Sequence, residues 1–117
     1  VRTAALRVPY PRQNVRHVSD LAVSPTGRIA ITSASDAGDD GPFDSAVYDA
    51  GTLRQGPLLL SGAAPLLTVR PQPDELARFE GHKVEALACP TTARTGVLGT
   101  DDENLGGAIR TADSCPA

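Results

Sequence analysis

The stretch Val18-Ser19-Asp20-Leu21-Ala22-Val23-Ser24-Pro25 is met a second time as Val84-Glu85-Ala86-Leu87-Ala88-Cys89-Pro90, with one residue fewer before the proline. In both places a short run rich in Val, Leu and Ala ends on a residue that cannot donate to a sheet ladder, which reads as a strand entering a turn. In the first copy Ser24-Pro25-Thr26-Gly27 supplies the turn and Arg28-Ile29-Ala30-Ile31-Thr32-Ser33 the return, so residues 18–33 predict an antiparallel hairpin. In the second copy Thr95-Gly96-Val97-Leu98-Gly99 takes the place of the returning strand. The likeness continues beyond the hairpins. An acid-bearing segment follows each one, and Gly107-Ala108-Ile109-Arg110 stands where Ser45-Ala46-Val47-Tyr48 stands. Pairing Val18 with Val84, Leu21 with Leu87 and Asp36 with Asp102 gives a spacing of 66, whereas a spacing of 65 matches His17 with His82, Asp20 with Glu85 and Pro25 with Pro90.

A unit of strand, tight turn, strand, loop and strand, used twice, predicts stacked antiparallel sheets, for which blades of a β-propeller, roughly 40–45 residues each, are the common form. The expected fold is therefore all-β, with antiparallel sheets forming about two blades of an incomplete β-propeller. Residues 1–17 read as a partial strand, Ala5-Leu6-Arg7-Val8, and a linker; residues 18–82 as a first blade with long loop insertions; residues 83–117 as a second, incomplete blade. Within the first blade, turns are expected at Gly51 and at Gly56-Pro57. They are followed by the apolar runs Leu58-Leu59-Leu60 and Leu66-Leu67-Thr68-Val69. Asp74-Glu75-Leu76-Ala77-Arg78-Phe79 suits a strand or one helical turn. Two blades do not close a ring. The expectation is a piece of a longer chain that supplies the remaining blades, or self-association through open sheet edges.

Composition narrows the function classes. With 117 residues and 40% hydrophobic content the chain suits one modest core, and with 3% aromatic content that core must be built from Val, Leu, Ile and Ala. A net charge of -3, with ten Arg and one Lys scattered along the chain, argues against nucleic acid as a partner, because a phosphate backbone requires clustered cations. No apolar run reaches the roughly 18–20 residues of a membrane span. The absence of Met gives the expectation of a processed product or fragment. Cys89 and Cys115 read either as one disulfide or as two unrelated thiols, since sequence does not fix the distance between their Cβ atoms.

The residues able to carry chemistry are mainly acids. Asp36, Asp39, Asp40 and Asp44 share one Gly-containing loop, and carboxylates there are the hard oxygen ligands that Ca²⁺ takes six to eight at a time. The competing reading is a solvated rim of turn formers. Asp101, Asp102 and Glu103 form a second cluster at the equivalent place in the repeat, where they read as further metal ligands or as a turn with an Asx hydrogen bond. Glu85 lies within an apolar strand and needs a reason: a channel-facing catalytic acid or ligand, or a rim or salt-bridge residue paired with Lys83 or with an arginine such as Arg28. His17 and His82 each precede a first strand, and His82 joins Glu85 as a candidate acid–base residue, against a purely structural place in the repeat. Ser24, Ser33 and Ser45 lie in no nucleophile-elbow context, Gly106-Gly107 lacks the Lys of a phosphate loop, and the cysteines have no zinc spacing.

The segments Lys83-Val84-Glu85-Ala86-Leu87-Ala88 and Leu98-Gly99-Thr100-Asp101-Asp102-Glu103-Asn104 resemble the Lys-x-Glu-Gly-Leu-Ala signature and the following Asp-bearing loop of secreted phytase-like (esterase-like activity of phytase) β-propeller proteins. Ala86 stands at the usual Gly, and the resemblance covers residues 18–49 and 83–111. It implies the C-terminal two-blade portion of an extracellular or periplasmic propeller that binds calcium. In full length, such a protein would hydrolyse a small phosphorylated or ester substrate; this portion alone would be inactive. The catalytic residues of propeller phytases do not map onto this chain. The alternative reading is a non-catalytic propeller scaffold or binding module.

Overall fold

In the computed structural model, which describes residues 3–38, 41–54 and 66–117, the first hairpin is formed by β1 (Val15–Val23) and β2 (Arg28–Ser35). Its turn closes through the Gly27 N–H, which donates to the Ser24 carbonyl at 2.9 Å. Gly27 has a φ of +82°, and a side chain there would run into the Leu53 carbonyl, so the turn requires glycine. β3 (Ser45–Arg54) and β4 (Leu66–Phe79) complete an antiparallel sheet of order β1-β2-β3-β4. The second sheet has order β5-β6-β7, from β5 (Val84–Ala88), β6 (Thr95–Asp101) and β7 (Gly107–Asp113). A single 3-10 turn at Glu103–Leu105 links β6 to β7, and no α-helix occurs among the described residues.

Several boundaries differ from the sequence reading, each for a local reason. Residues 5–8 do not form a strand; this segment packs Leu6, Val8 and Tyr10 on the first sheet, and pairing begins at Val15. Gly51 is not a turn. β3 runs through it, with bulges where its pairing shifts against both neighbours. Residues 74–79 are strand, part of a β4 that also holds Pro71 and Pro73. Those prolines are tolerated because β4 is an edge strand and pairing skips from Val69 to Asp74. The turn expected at Gly56-Pro57 and the run Leu58-Leu59-Leu60 lie outside the described residues.

Alternation along β2 sends Ile29 and Ile31 to one side of the first sheet and Ala30 to the other. The first side, with Tyr48 and Ala50 from β3, packs under the N-terminal segment. The second, with Ala22, Val47 and Phe79, packs against Val84, Leu87 and Leu98 of the second sheet. Small alanines on that face let β5 approach closely. With Leu21 matched to Leu87 at the sequence spacing of 66, strand pairing carries the correspondence across both sheets. Leu21 faces Ile31 and Ile31 faces Tyr48, as Leu87 faces Leu98 and Leu98 faces Arg110. The first strands thus repeat at 66, and the second strands at 67, from Ile31 to Leu98, because the second hairpin has the longer connection.

Cys89 and Cys115 form a disulfide, which ties the end of β5 to the chain beyond β7. Gly96 on β6 makes room for it: a Cβ there would lie 2.6 Å from Cys115 Sγ. The bond spans a sequence separation of 26. Closing a loop of that size removes denatured-state entropy equivalent to about 3 kcal/mol. Replacing both cysteines by Ser is expected to lower unfolding stability by about that amount, measured as the shift in urea midpoint at unchanged slope.

Candidate functional site

The acidic residues expected to bind metal are sorted by the strands that carry them. Asp36 follows β2 in the first sheet, Glu103 follows β6 in the second, and both reach the ammonium of Lys83, which stands immediately before β5. Lys83 Nζ donates to Asp36 Oδ1 at 3.1 Å and to Glu103 Oε1 at 2.7 Å. The lysine side chain is only 3% exposed, whereas the two carboxylates remain partly in water. Arg16, on β1, extends the network: its guanidinium lies 2.9 Å from Asp36 Oδ2 and 3.4 Å from Glu85 Oε1. Glu85 is therefore a half-buried salt-bridge residue, paired as expected with an arginine, which is Arg16 rather than Arg28, and not with Lys83. Arg28 pairs with the buried Asp49 of β3.

Asp102 is held differently. Its Oδ1 accepts the Lys83 backbone N–H at 2.8 Å, while Oδ2 lies 3.2 Å from His82 Nδ1 and 3.3 Å from the Thr100 hydroxyl. Burial pushes its pKa up, but the Lys83 N–H, the imidazole and the hydroxyl outweigh that and hold the carboxyl below its ordinary value. The Asp36 carboxyl is held low by the hydrogen bond and charge of Lys83, with Arg16 adding to them. The Lys83 ammonium is stabilised most by its bond to Glu103; burial works against it, but with Asp36 added the pKa is raised.

The remaining candidates lie elsewhere. Asp44 Oδ1 accepts the Gly81 N–H at 3.1 Å. Asp44 also borders a cleft of ≈ 300 Å³ whose lining includes Tyr10, Arg12 and Arg78 but neither Lys83 nor Glu103. Asp101 Oδ1 accepts the Glu103 N–H at 3.2 Å in a local turn. Asp39 and Asp40 lie outside the described residues. The two histidines have unlike settings: His17 Nδ1 accepts the Val8 N–H at 3.1 Å, whereas His82 is turned to Asp102. The candidate acid–base residues His82 and Glu85 have different partners, Asp102 and Arg16.

Calcium requires six to eight oxygens around an open centre. Here the centre on which Asp36 and Glu103 converge is filled by an ammonium, and both oxygens of Asp102 are engaged by hydrogen-bond donors or the imidazole. Among the described residues no group of three or more His, Cys, Asp or Glu is placed to hold a metal ion. The described carboxylates do not fit a calcium site at this point. What sequence reasoning missed is Arg16 and the central place of Lys83. The signal was present: Lys83 is the sole lysine, at the start of a strand and between acids that only the fold brings near.

Around this network the two sheets are stitched by hydrogen bonds to the backbone as well. Asp20 Oδ2 accepts the Leu87 N–H at 2.7 Å, and Ser45 Oγ donates to the His82 carbonyl at 2.6 Å and accepts the Val84 N–H at 3.2 Å. These features define an all-β protein of two packed antiparallel sheets joined by a buried ion network. Comparison of the chain with family models, curated proteins and solved structures finds no match.

The network has a pH signature. Asp36 and Asp102 have folded pKa values below 3.8, so their contribution is present above that value and is lost as pH falls through the lowered ones. Lys83, raised above 10.5, contributes below that value and loses its contribution as pH rises through the raised one, in an alkaline range shared with Tyr10 and Tyr48. Lys83→Met is expected to destabilise the fold by about 2 kcal/mol, less than for a fully buried pair because both carboxylates keep contact with water. It should also flatten the Asp36 part of the acid limb while sparing that of Asp102, whose backbone donor survives; denaturant titrations at stepped pH read both effects.

Proposed function

We propose that this chain is a non-catalytic scaffold or binding module built from two adjacent blades of the β-propeller kind. The observation that carries this reading is the Lys83 ammonium between Asp36 and Glu103: the acids that come together are neutralised by the protein's own cation. An ion pair of this kind fixes one sheet against the other and engages Asp36 and Glu103, the described acids that meet there, as partners of a cation rather than as a pair for general acid–base work. Supporting the blade assignment are the meander order β1-β2-β3-β4, the repetition of its first three strands as β5-β6-β7, and the packing of β1 and β2 beside β5. An extracellular or periplasmic location agrees with the Cys89–Cys115 disulfide, since such bonds persist in oxidising compartments.

A second reading, a calcium-dependent phosphate-ester or carboxyl-ester hydrolase of the phytase-like kind, draws on the resemblance around Lys83 and on Asp36 and Glu103 arriving at one point from different sheets. Calorimetric titration with Ca²⁺, paired with a phosphomonoester assay, separates the two. The scaffold reading expects no saturable heat and no turnover, for the chain as it stands and for Asp39→Asn/Asp40→Asn alike. Calcium binding together with turnover, both lost in that double variant, would overturn it.

A further inference from the structure

The two ends of the sheet stack carry the two halves of the interface that lies inside it. In the interior, the first sheet offers Ala22, Ala30 and Val47, and the second offers Val84, Leu87 and Leu98. Strand pairing makes Ala88, Val97 and Ile109 the second-sheet equivalents of the first set. Val47 is fully buried, yet Ile109 is 84% exposed; Ala30 is buried, yet Val97 is 40% exposed. The outer face of the second sheet thus keeps the small and apolar character of its covered counterpart. At the opposite end, Leu21 is the first-sheet equivalent of the buried Leu87 and Val18 matches Val84 at the same spacing of 66, while Ile31, the equivalent of Leu98, is covered by the N-terminal segment. Val18 and Leu21 are 49% and 52% exposed and border an apolar cleft of ≈ 410 Å³ between the N-terminal segment and the sheet, with Leu6, Ile29 and Ile31 behind them.

We infer that these two faces bind each other between copies of the chain: the outer face of the second sheet, centred on Val97, docks on the Val18–Leu21 face of another copy's first sheet. The occupant is a second copy because the same molecule presents both halves, and because their contact would continue the internal interface in the same direction. Exposed apolar sheet faces of this kind mark association surfaces. The contact is head-to-tail, so association proceeds beyond a dimer, closing into a ring if the rotation permits and otherwise remaining open. This inference rests on the stacked-sheet part of the proposed function and does not depend on whether the protein is catalytic.

Sedimentation velocity on the 117-residue chain, from micromolar to millimolar concentration, tests it together with Val97→Glu and Leu21→Glu, whose folding is checked by circular dichroism. Should either variant fail to fold, Ile109→Glu or Val18→Glu replaces it. The wild type is expected to associate with concentration, and each variant alone to associate at least tenfold more weakly. An equimolar mixture of the two should recover a one-to-one dimer and nothing larger, because it holds one intact copy of each face. A wild type that stays monomeric, a Leu21→Glu variant that associates as the wild type does, or a mixture that stays monomeric would overturn the inference. A monomeric chain with neither calcium binding nor turnover refutes the docking and leaves the scaffold reading standing. An associating chain with calcium-dependent turnover does the reverse.

Discussion

A single ammonium, that of Lys83, is shut between two sheets and bonded to one carboxylate from each side, Asp36 and Glu103. Taking that charge out of water costs several kcal/mol, and only partners at bonding distance offset it. The requirement therefore acts as a positional constraint. The start of β5 must lie where the loop after β2 and the turn after β6 can both reach it. Everything near the site respects that placement: Asp102 accepts the Lys83 N–H, Ser45 bridges the backbone on either side of Lys83, and Arg16 closes the network from β1 to Glu85.

The apolar packing supplies what the charges do not. The shared core is made of small and aliphatic side chains with Phe79 as its one aromatic ring, so the sheets come close without large anchors. Arg110 lies with its guanidinium 5.6 Å from that ring, at the place where the first sheet has Tyr48. A thin core of this sort gains less from burial than an aromatic-rich one. The disulfide between Cys89 and Cys115 and the polar stitching along β5 make up part of the difference. The ion pairs of Lys83 and Arg16 and the hydrogen bonds along β5 join the second sheet to the first beside this core, while the disulfide braces the second sheet itself.

The repeat is the link between fold and association. Because corresponding strands present corresponding faces, the internal interface has exposed counterparts at both ends of the stack, confined at the first-sheet end to Val18 and Leu21 of β1 because the N-terminal segment covers Ile29 and Ile31. A closed barrel would have no such ends, and a lone sandwich would have polar outer faces. Here the outer face of the second sheet carries Ala88, Val97 and Ile109.

The sequence by itself determined six of the strands in outline, the hairpin at Ser24-Pro25-Thr26-Gly27 and the repetition of three strands, because alternation and turn chemistry are local; β4, read as separate pieces, became one strand only through its pairing with β3. It marked the acids as the residues that matter. It could not choose between spacings of 65 and 66, since one extra residue in a turn shifts the register of the strand after it; with 66 in the first strands, the pairing puts 67 in the second. Nor could it give the partners of the charges. Lys83 and Asp36 are 47 residues apart, and Arg16 and Glu85 are 69 apart. Only the packing of one sheet on another brings such pairs within a few ångströms, and that packing turned two apparent metal ligands, Asp36 and Glu103, into the partly exposed partners of a buried lysine.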